Sequence, residues 1–180
     1  MCGIAGWIEK DCMMTERRET LQAMSETLTR RGPDENGIYL NGDVALIHRR
    51  LVVIDRENGK QPIAARHGDA TYVIVYNGEL YNTEELREEL RSKGFHFRGH
   101  SDTEVVLKAF IQYGERCPEK LNGIFAFAVF NTRDRTLFLC RDKIGVKPLF
   151  YHEYDGGLIF GSEIKALLKS GVVKPRIVEQ

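Results

Sequence analysis

The chain has 180 residues, enough for one well-filled core, and its 26 basic residues are balanced by 26 acidic ones. A formal net charge of zero lacks the basic surplus on which a general grip on nucleic acid or an anionic membrane depends. No apolar run approaches the ~20 residues of a membrane span, and no basic stretch followed by an apolar one marks a signal peptide.

The expected setting is therefore cytoplasmic, with Cys2, Cys12, Cys117 and Cys140 reduced. None of them forms a C-x-x-C pair, which speaks against zinc or dithiol chemistry. Cys12, Cys117 and Cys140 read as small structural hydrophobes.

In chain order, CGIAGWI reads as a first strand. TERRETLQAMSETLTRRG places Leu21, Met24 and Leu28 at helical spacing, with Gly32 as the stop. GIYLNGDVALIHRRLVVID reads as two or three short strands with Asn41-Gly42 as a hairpin turn. TYVIVY is a continuous apolar run, as in a strand buried on both faces. A helix follows, with Asn82 as its cap, Glu85 at the capping-box position and Tyr81 with Leu86 as a hydrophobic staple, ending at Gly94. SDTEVVLKAFIQYG repeats that logic with Ser101 and Glu104. GIFAFAVFN alternates Phe125 and Phe127 on one face with Ile124, Ala126, Ala128 and Phe130 on the other, the small residues suiting close approach of another layer. TLFLCRD, PLFYHEY and LIFGSE are further strands, with a tight turn at Asp155-Gly156-Gly157, and SEIKALLKSG is a short helix. The order of strands, then helices, then strands favours antiparallel sheets with segregated helices. The tail GVVKPRIVEQ reads equally as a linker or as a frayed terminus.

Chemistry begins at Cys2. If Met1 is removed, this residue carries a thiol nucleophile and, in its α-amine, a base that titrates near ~7.7–8.0. Asn77-Gly78-Glu79 ends the buried run. It is either a plain turn or an amide and backbone N–H pair suited to a developing oxyanion. In His48-Arg49-Arg50-Leu51 the arginines are either solvated or able to clamp a carboxylate with two parallel N–H bonds. Asp102, in the first turn of a helix, either complements the helix dipole or meets an ammonium group. Arg31-Gly32-Pro33-Asp34 reads as a helix stop and turn. His96 and His100 share strand parity with Asp102, but Arg98 on the same face opposes a second cation, so no metal is expected. Neither phosphate-binding glycine loop is present.

Taken together and in register, MCGIAGW, RGPDENG, HRRLVVID, YNGELYN, SDTEVVL, LNGIFAFAVF, RDKIGVKPL and GSEIKALL resemble the class II glutamine amidotransferase domain of glutamine-hydrolysing asparagine synthetases. The resemblance runs from Met1 to about Leu168. It implies an α+β N-terminal nucleophile hydrolase fold, a four-layer α-β-β-α sandwich of two antiparallel sheets, over residues 1–168. Residues 169–180 would begin a linker to a synthetase domain. It implies loss of Met1 and hydrolysis of glutamine to glutamate and ammonia. By motif, Cys2 is the nucleophile and its α-amine the base. Arg50 would hold the glutamine carboxylate, Asn77 and Gly78 would form the oxyanion hole, and Asp102 with Glu79 would bind the ammonium group. Val53 and Ile54 would line the pocket. No cofactor is implied in this domain, since ATP and magnesium belong to the synthetase domain. The implied partners are glutamine and that domain, with no nucleic acid and no membrane, and a homodimer is left open. Asn131 and Lys143 stand where the family often has Asp and Arg. Other amide-forming synthetases share such a domain, and a non-catalytic glutamine-binding module is the alternative from another class.

Overall fold

The computed structural model describes residues 1–53 and 59–175. Strand β1 (Gly3–Glu9) is followed by a 3-10 turn and helix α1 (Arg18–Thr27), then by the hairpin of β2 (Glu35–Asn41) and β3 (Val44–Arg50). Strands β4 (Ile63–His67) and β5 (Ala70–Leu80) precede two helices, α2 (Thr83–Ser92) and α3 (Asp102–Tyr113). Four more strands follow, β6 (Gly123–Asn131), β7 (Thr136–Arg141), β8 (Phe150–Tyr154) and β9 (Gly157–Gly161), and then helix α4 (Ile164–Lys169).

The strands form two antiparallel sheets, ordered β2-β3-β1-β9-β8 and β4-β5-β6-β7. Period-two alternation distributes the side chains among three apolar layers. Odd-numbered residues of β1 and β3, including Trp7 and Ile47, pack under α1 and α4. Tyr76, Phe125 and Phe127 pack under α2 and α3. Between the sheets lie Ile4, Leu46 and Phe160 from one and Val75, Ala126, Ala128 and Phe130 from the other. The chain is thus a four-layer α-β-β-α sandwich, and the alanines of β6 fall on the inter-sheet face that the alternation assigns them. Each large apolar side chain fully buried there contributes on the order of 1.5–3 kcal/mol. Gly6 fits the same logic, because a Cβ at that position would lie 2.3 Å from the Phe160 ring and 2.9 Å from the Ala45 carbonyl.

Several local expectations shift by a few residues. The β2–β3 turn is Gly42-Asp43 rather than Asn41-Gly42, since Asn41 pairs with Val44 and Gly42 takes a φ of +59°. Helix α1 ends at Thr27, before Gly32. Gly32 is instead the point where the backbone of Arg49 and Arg50 passes, 2.2 Å from where a Cβ would stand. Asn82 makes no cap bond. Its side chain donates to the Lys120 carbonyl and accepts from Asn122 N–H, tying α2 to the entrance of β6. Ser101 does cap α3 by accepting from Thr103 N–H, whereas the Glu104 carboxylate receives the N–H groups of Arg98 and Gly99. Residues 51–53 continue β3 without strand pairing, and the rest of LVVID, including Ile54, lies outside the described residues. Beyond α4, Val172 and Val173 still pack on the α1–α4 layer.

At one end of the inter-sheet layer the apolar filling gives way to polar groups. His48 is 1% exposed, and its Nε2 lies 3.2 Å from the Tyr76 carbonyl, bridging β3 of one sheet to β5 of the other. Facing a carbonyl, Nε2 must carry the hydrogen of a neutral ring. Burial lowers the His48 pKa to about 3. In the unfolded chain the ring titrates near ~6.5 and binds a proton that the folded ring refuses. The stabilisation is complete above that pH and is lost as pH falls from about 6.5 towards 3. Urea midpoints followed from pH 7 to pH 4 are therefore expected to fall more steeply for the native chain than for His48→Gln. Parallel profiles would remove this role. Separately, Gly6→Ala is expected to lower stability by about 1–3 kcal/mol through overpacking against Phe160, read from the same urea curves.

Candidate active site

The polar end of the sandwich opens into a cleft of about 280 Å³. The alternation that sends Ile4 inward also suits Cys2, two residues earlier and directly ahead of the first residue of β1. Likewise Asn77 follows Val73 and Val75 on β5, and Arg50 follows Leu46 and His48 on β3. Cys2, Arg50, Val53, Asn77, Gly78, Glu79 and Asp102 all line this one cleft. Of the expected residues only Ile54 falls outside what is described. Asn131 lies elsewhere, ordering the β6–β7 turn through Arg133 N–H and Asp134, and Lys143 is exposed.

Asn77-Gly78-Glu79 is not a turn. It continues β5, with Asn77 opposite Ala126 and Gly78 opposite Phe125 of β6. Tyr81 N–H bonds to Asn122 on the β6 side. On the other edge Tyr76 N–H meets Gln61 Oε1 at 2.7 Å and Leu80 N–H meets Asp102 Oδ2 at 3.3 Å. Gly78 lies between them in the same parity, so its N–H points into the cleft. The Asn77 side-chain amide is buried, and its Nδ2 has no hydrogen-bond partner among the described residues. Only glycine fits at position 78, where a Cβ would stand 2.6 Å from the Tyr76 hydroxyl and 2.7 Å from the Ile124 carbonyl.

The Cys2 thiol lies 3.7 Å from the Leu51 carbonyl. Burial raises its pKa above the ordinary thiol value, against the opposing pull of the Met1 α-ammonium and Arg50. Met1 itself lines the cleft, and its sulfur accepts from Lys147 Nζ at 3.2 Å. Arg50 is buried rather than solvated and pairs with Glu35 at 2.7 Å. Asp102 is raised by burial, against the Tyr76 hydroxyl and the N–H groups of Leu80 and Thr103, which favour its charged form. That environment keeps a carboxylate poised for a cationic partner. Among the described residues no group of three or more His, Cys, Asp or Glu is placed to hold a metal ion.

Two contributors escape a local reading of the sequence. Arg31 donates from Nε to the Cys2 carbonyl at 3.0 Å and approaches Glu163 at 3.6 Å. Asp34 accepts the Val52 N–H at 2.8 Å. The Arg31–Asp34 turn thus braces both the start of β1 and the segment after β3. Gln61 and Lys147 also line the cleft. Gln61 lies in no motif, and Lys147 lies in RDKIGVKPL without a local feature that marks it for the cleft.

The whole chain, residues 1–180, matches a family described as a glutamine amidotransferase domain. It is 46% identical over 177 residues to glutamine-hydrolyzing asparagine synthetase 3 of Bacillus subtilis (strain 168), covering 98% of this chain and 29% of that protein. It is 40% identical over 168 residues to glutamine-hydrolyzing asparagine synthetase 1 of Arabidopsis thaliana, covering 93% and 28%. The chain therefore spans less than a third of the length of these relatives. Among solved structures, glutamine phosphoribosylpyrophosphate amidotransferase from B. subtilis superposes with a TM-score of 0.75 at 20% identity, covering 94% of this chain and 44% of that one. That likeness supports the N-terminal nucleophile fold, and the full-length family match shows that the chain belongs to the glutamine amidotransferase domain family.

Proposed function

We propose that this domain hydrolyses glutamine to glutamate and ammonia, and that a synthetase domain of the same parent chain uses the ammonia to make asparagine. The observation that carries the reading is the convergence on one cleft of a thiol at residue 2, a buried Asn77 amide whose Nδ2 has no partner among the described residues, Gly78 beside it, and the part-buried Asp102 carboxylate. The asparagine-forming half rests on the names and greater length of the relatives.

Glutamine is a zwitterion with a neutral amide at its far end. Arg50 suits its carboxylate, and Asp102 with Glu79 suits its ammonium group. Val53, and Ile54 beside it, would complete the wall. The amide then reaches Cys2. Removal of Met1 gives Cys2 its own α-amine, which takes the thiol proton as sulfur attacks the amide carbon. Asn77 Nδ2 and Gly78 N–H receive the oxyanion. The protonated α-amine passes its proton to the leaving nitrogen, ammonia departs, and a thioester remains. Water, deprotonated by the same amine, attacks the thioester and releases glutamate and the thiol. No step needs a cofactor. ATP and magnesium would serve only the synthetase domain.

Met1 occupies the cleft and acylates the amine that the mechanism requires. A preparation whose intact mass retains Met1 is therefore expected to release no glutamate, and the processed protein to release it. Full activity with Met1 in place would sink the mechanism. Cys2→Ala should lower glutamate release at least about 10³-fold. Asp102→Asn removes the partner of the ammonium group and is expected to raise KM for glutamine about 10- to 100-fold, with a smaller effect on kcat. Because burial raises Asp102, the carboxylate is lost at a higher pH than usual as solutions are acidified. The acid side of kcat/KM should then carry, below the step set by the α-amine, a second step above the ordinary carboxylate value of ~3.9, and Asp102→Asn should remove that second step alone.

A further inference from the structure

Gln61 makes three of the four hydrogen bonds its amide allows, all to two residues. Its Oε1 accepts Tyr76 N–H at 2.7 Å, and its Nε2 donates to the Tyr76 carbonyl at 3.2 Å and to Thr103 Oγ1 at 3.1 Å. The β4–β5 ladder ends at Ile63 opposite Ile74, so Tyr76 lies beyond the last paired residue. There the Gln61 side chain stands in for the missing neighbour strand. Tyr76 is the residue before Asn77 and Gly78. Thr103 is the residue after Asp102, and its N–H donates to Asp102 Oδ1 at 2.8 Å. One side chain therefore spans from the strand that presents the amide-end donors to the helix start that presents the carboxylate.

We propose that Gln61 is a positioning residue that sets the separation between Asn77–Gly78 and Asp102, and with it the length of amino acid the cleft accepts. The inference rests on the glutaminase reading above. Glutamine and asparagine carry the same two ends and differ by one methylene. A site that grips both ends discriminates between them only if the distance between its grips is fixed. Gln61 supplies that rigidity on one side. His48, donating to the same Tyr76 carbonyl from the other sheet, supplies it on the other.

The test uses the Met1-processed protein and three electrophiles that modify Cys2. Iodoacetamide reads the thiol alone. A glutamine-shaped diazoketone and its asparagine-shaped homologue, one methylene shorter, react only when their amino-acid ends are seated. Gln61→Met keeps the volume and removes all three bonds. Thr103→Val cuts only the tie to α3. Iodoacetamide is expected to label both variants within about twofold of the native rate, while the glutamine-shaped reagent slows about 10- to 100-fold in Gln61→Met and less in Thr103→Val. The ratio of glutamine-shaped to asparagine-shaped rates should fall at least about fivefold in Gln61→Met and in the same direction in Thr103→Val. An unchanged ratio in both variants would reduce Gln61 to an ordinary stabilising contact and overturn the proposal, native glutaminase activity standing. Should Gln61→Met lose iodoacetamide labelling through misfolding, the ratio in Thr103→Val decides. A native protein that shows no glutamine-shaped labelling and no glutaminase activity would overturn the parent reading instead.

Discussion

The Tyr76 peptide group is the joint on which the cleft is hung. Its carbonyl accepts from His48 of the first sheet and from Gln61 beside the second, and its N–H returns a bond to Gln61. The next residue along the strand is Asn77. Because a strand alternates strictly, fixing Tyr76 fixes which way the Asn77 side chain and the Gly78 N–H point. A buried carbonyl with two donors from different layers is satisfied only when both layers are in register. The two sheets therefore dock with their polar ends aligned.

The electrostatics of that end follow from burial. His48 is held neutral, so it adds no charge beside Arg50. Arg50 is paired with Glu35, which makes a cation tolerable where the protein excludes water. Asp102 and Tyr76 are both raised by burial; the Asp102 carboxylate makes ionisation of Tyr76 harder still, while the Tyr76 hydroxyl favours the charged form of Asp102. The Asn77 amide has a buried donor with no partner among the described residues. An unsatisfied donor of this kind costs about 1–3 kcal/mol. It is a cost that fits a group reserved for charge appearing during reaction. Opposite the site, Asp142 behaves differently. Burial would raise it, but the backbone N–H groups of Lys147, Val146 and Phe125 outweigh that and lower it. It shapes the loop that delivers Lys147 to the cleft.

Several polar side chains that suit local capping are instead spent on distant backbone. Asn82 serves residues 120–122, and Glu104 serves residues 98–99 while pairing with Lys108. Arg31 reaches Cys2 across 29 positions of sequence. In each case the side chain satisfies a backbone group of a loop or strand entrance instead of one at its own helix end. The chain closes its helices with fewer side-chain caps in exchange for loops tied to the sheets.

Strand alternation, helix spacing and the segregated order of elements were legible in the sequence because each is a property of a few consecutive residues. The layer assignment of Phe125, Phe127 and the β6 alanines followed from that period alone. The site residues became legible through a set of motifs in register, not through their own local chemistry. Read locally, Asn77-Gly78 is a turn dipeptide and Arg50 a solvated cation, and only pairing with β6 and burial between layers decide otherwise. Gln61 gave no signal, and Arg31 and Lys147 showed only as members of motifs with no role attached, since their work lies in bonds to Tyr76, Cys2 and Met1, which are far away in the chain. The sequence by itself determined the alternating faces and the chemical kinds of group available. Tertiary structure decided which of them meet, because the distance between a thiol on β1, an amide on β5 and a carboxylate on α3 exists only once two sheets and a helix have packed.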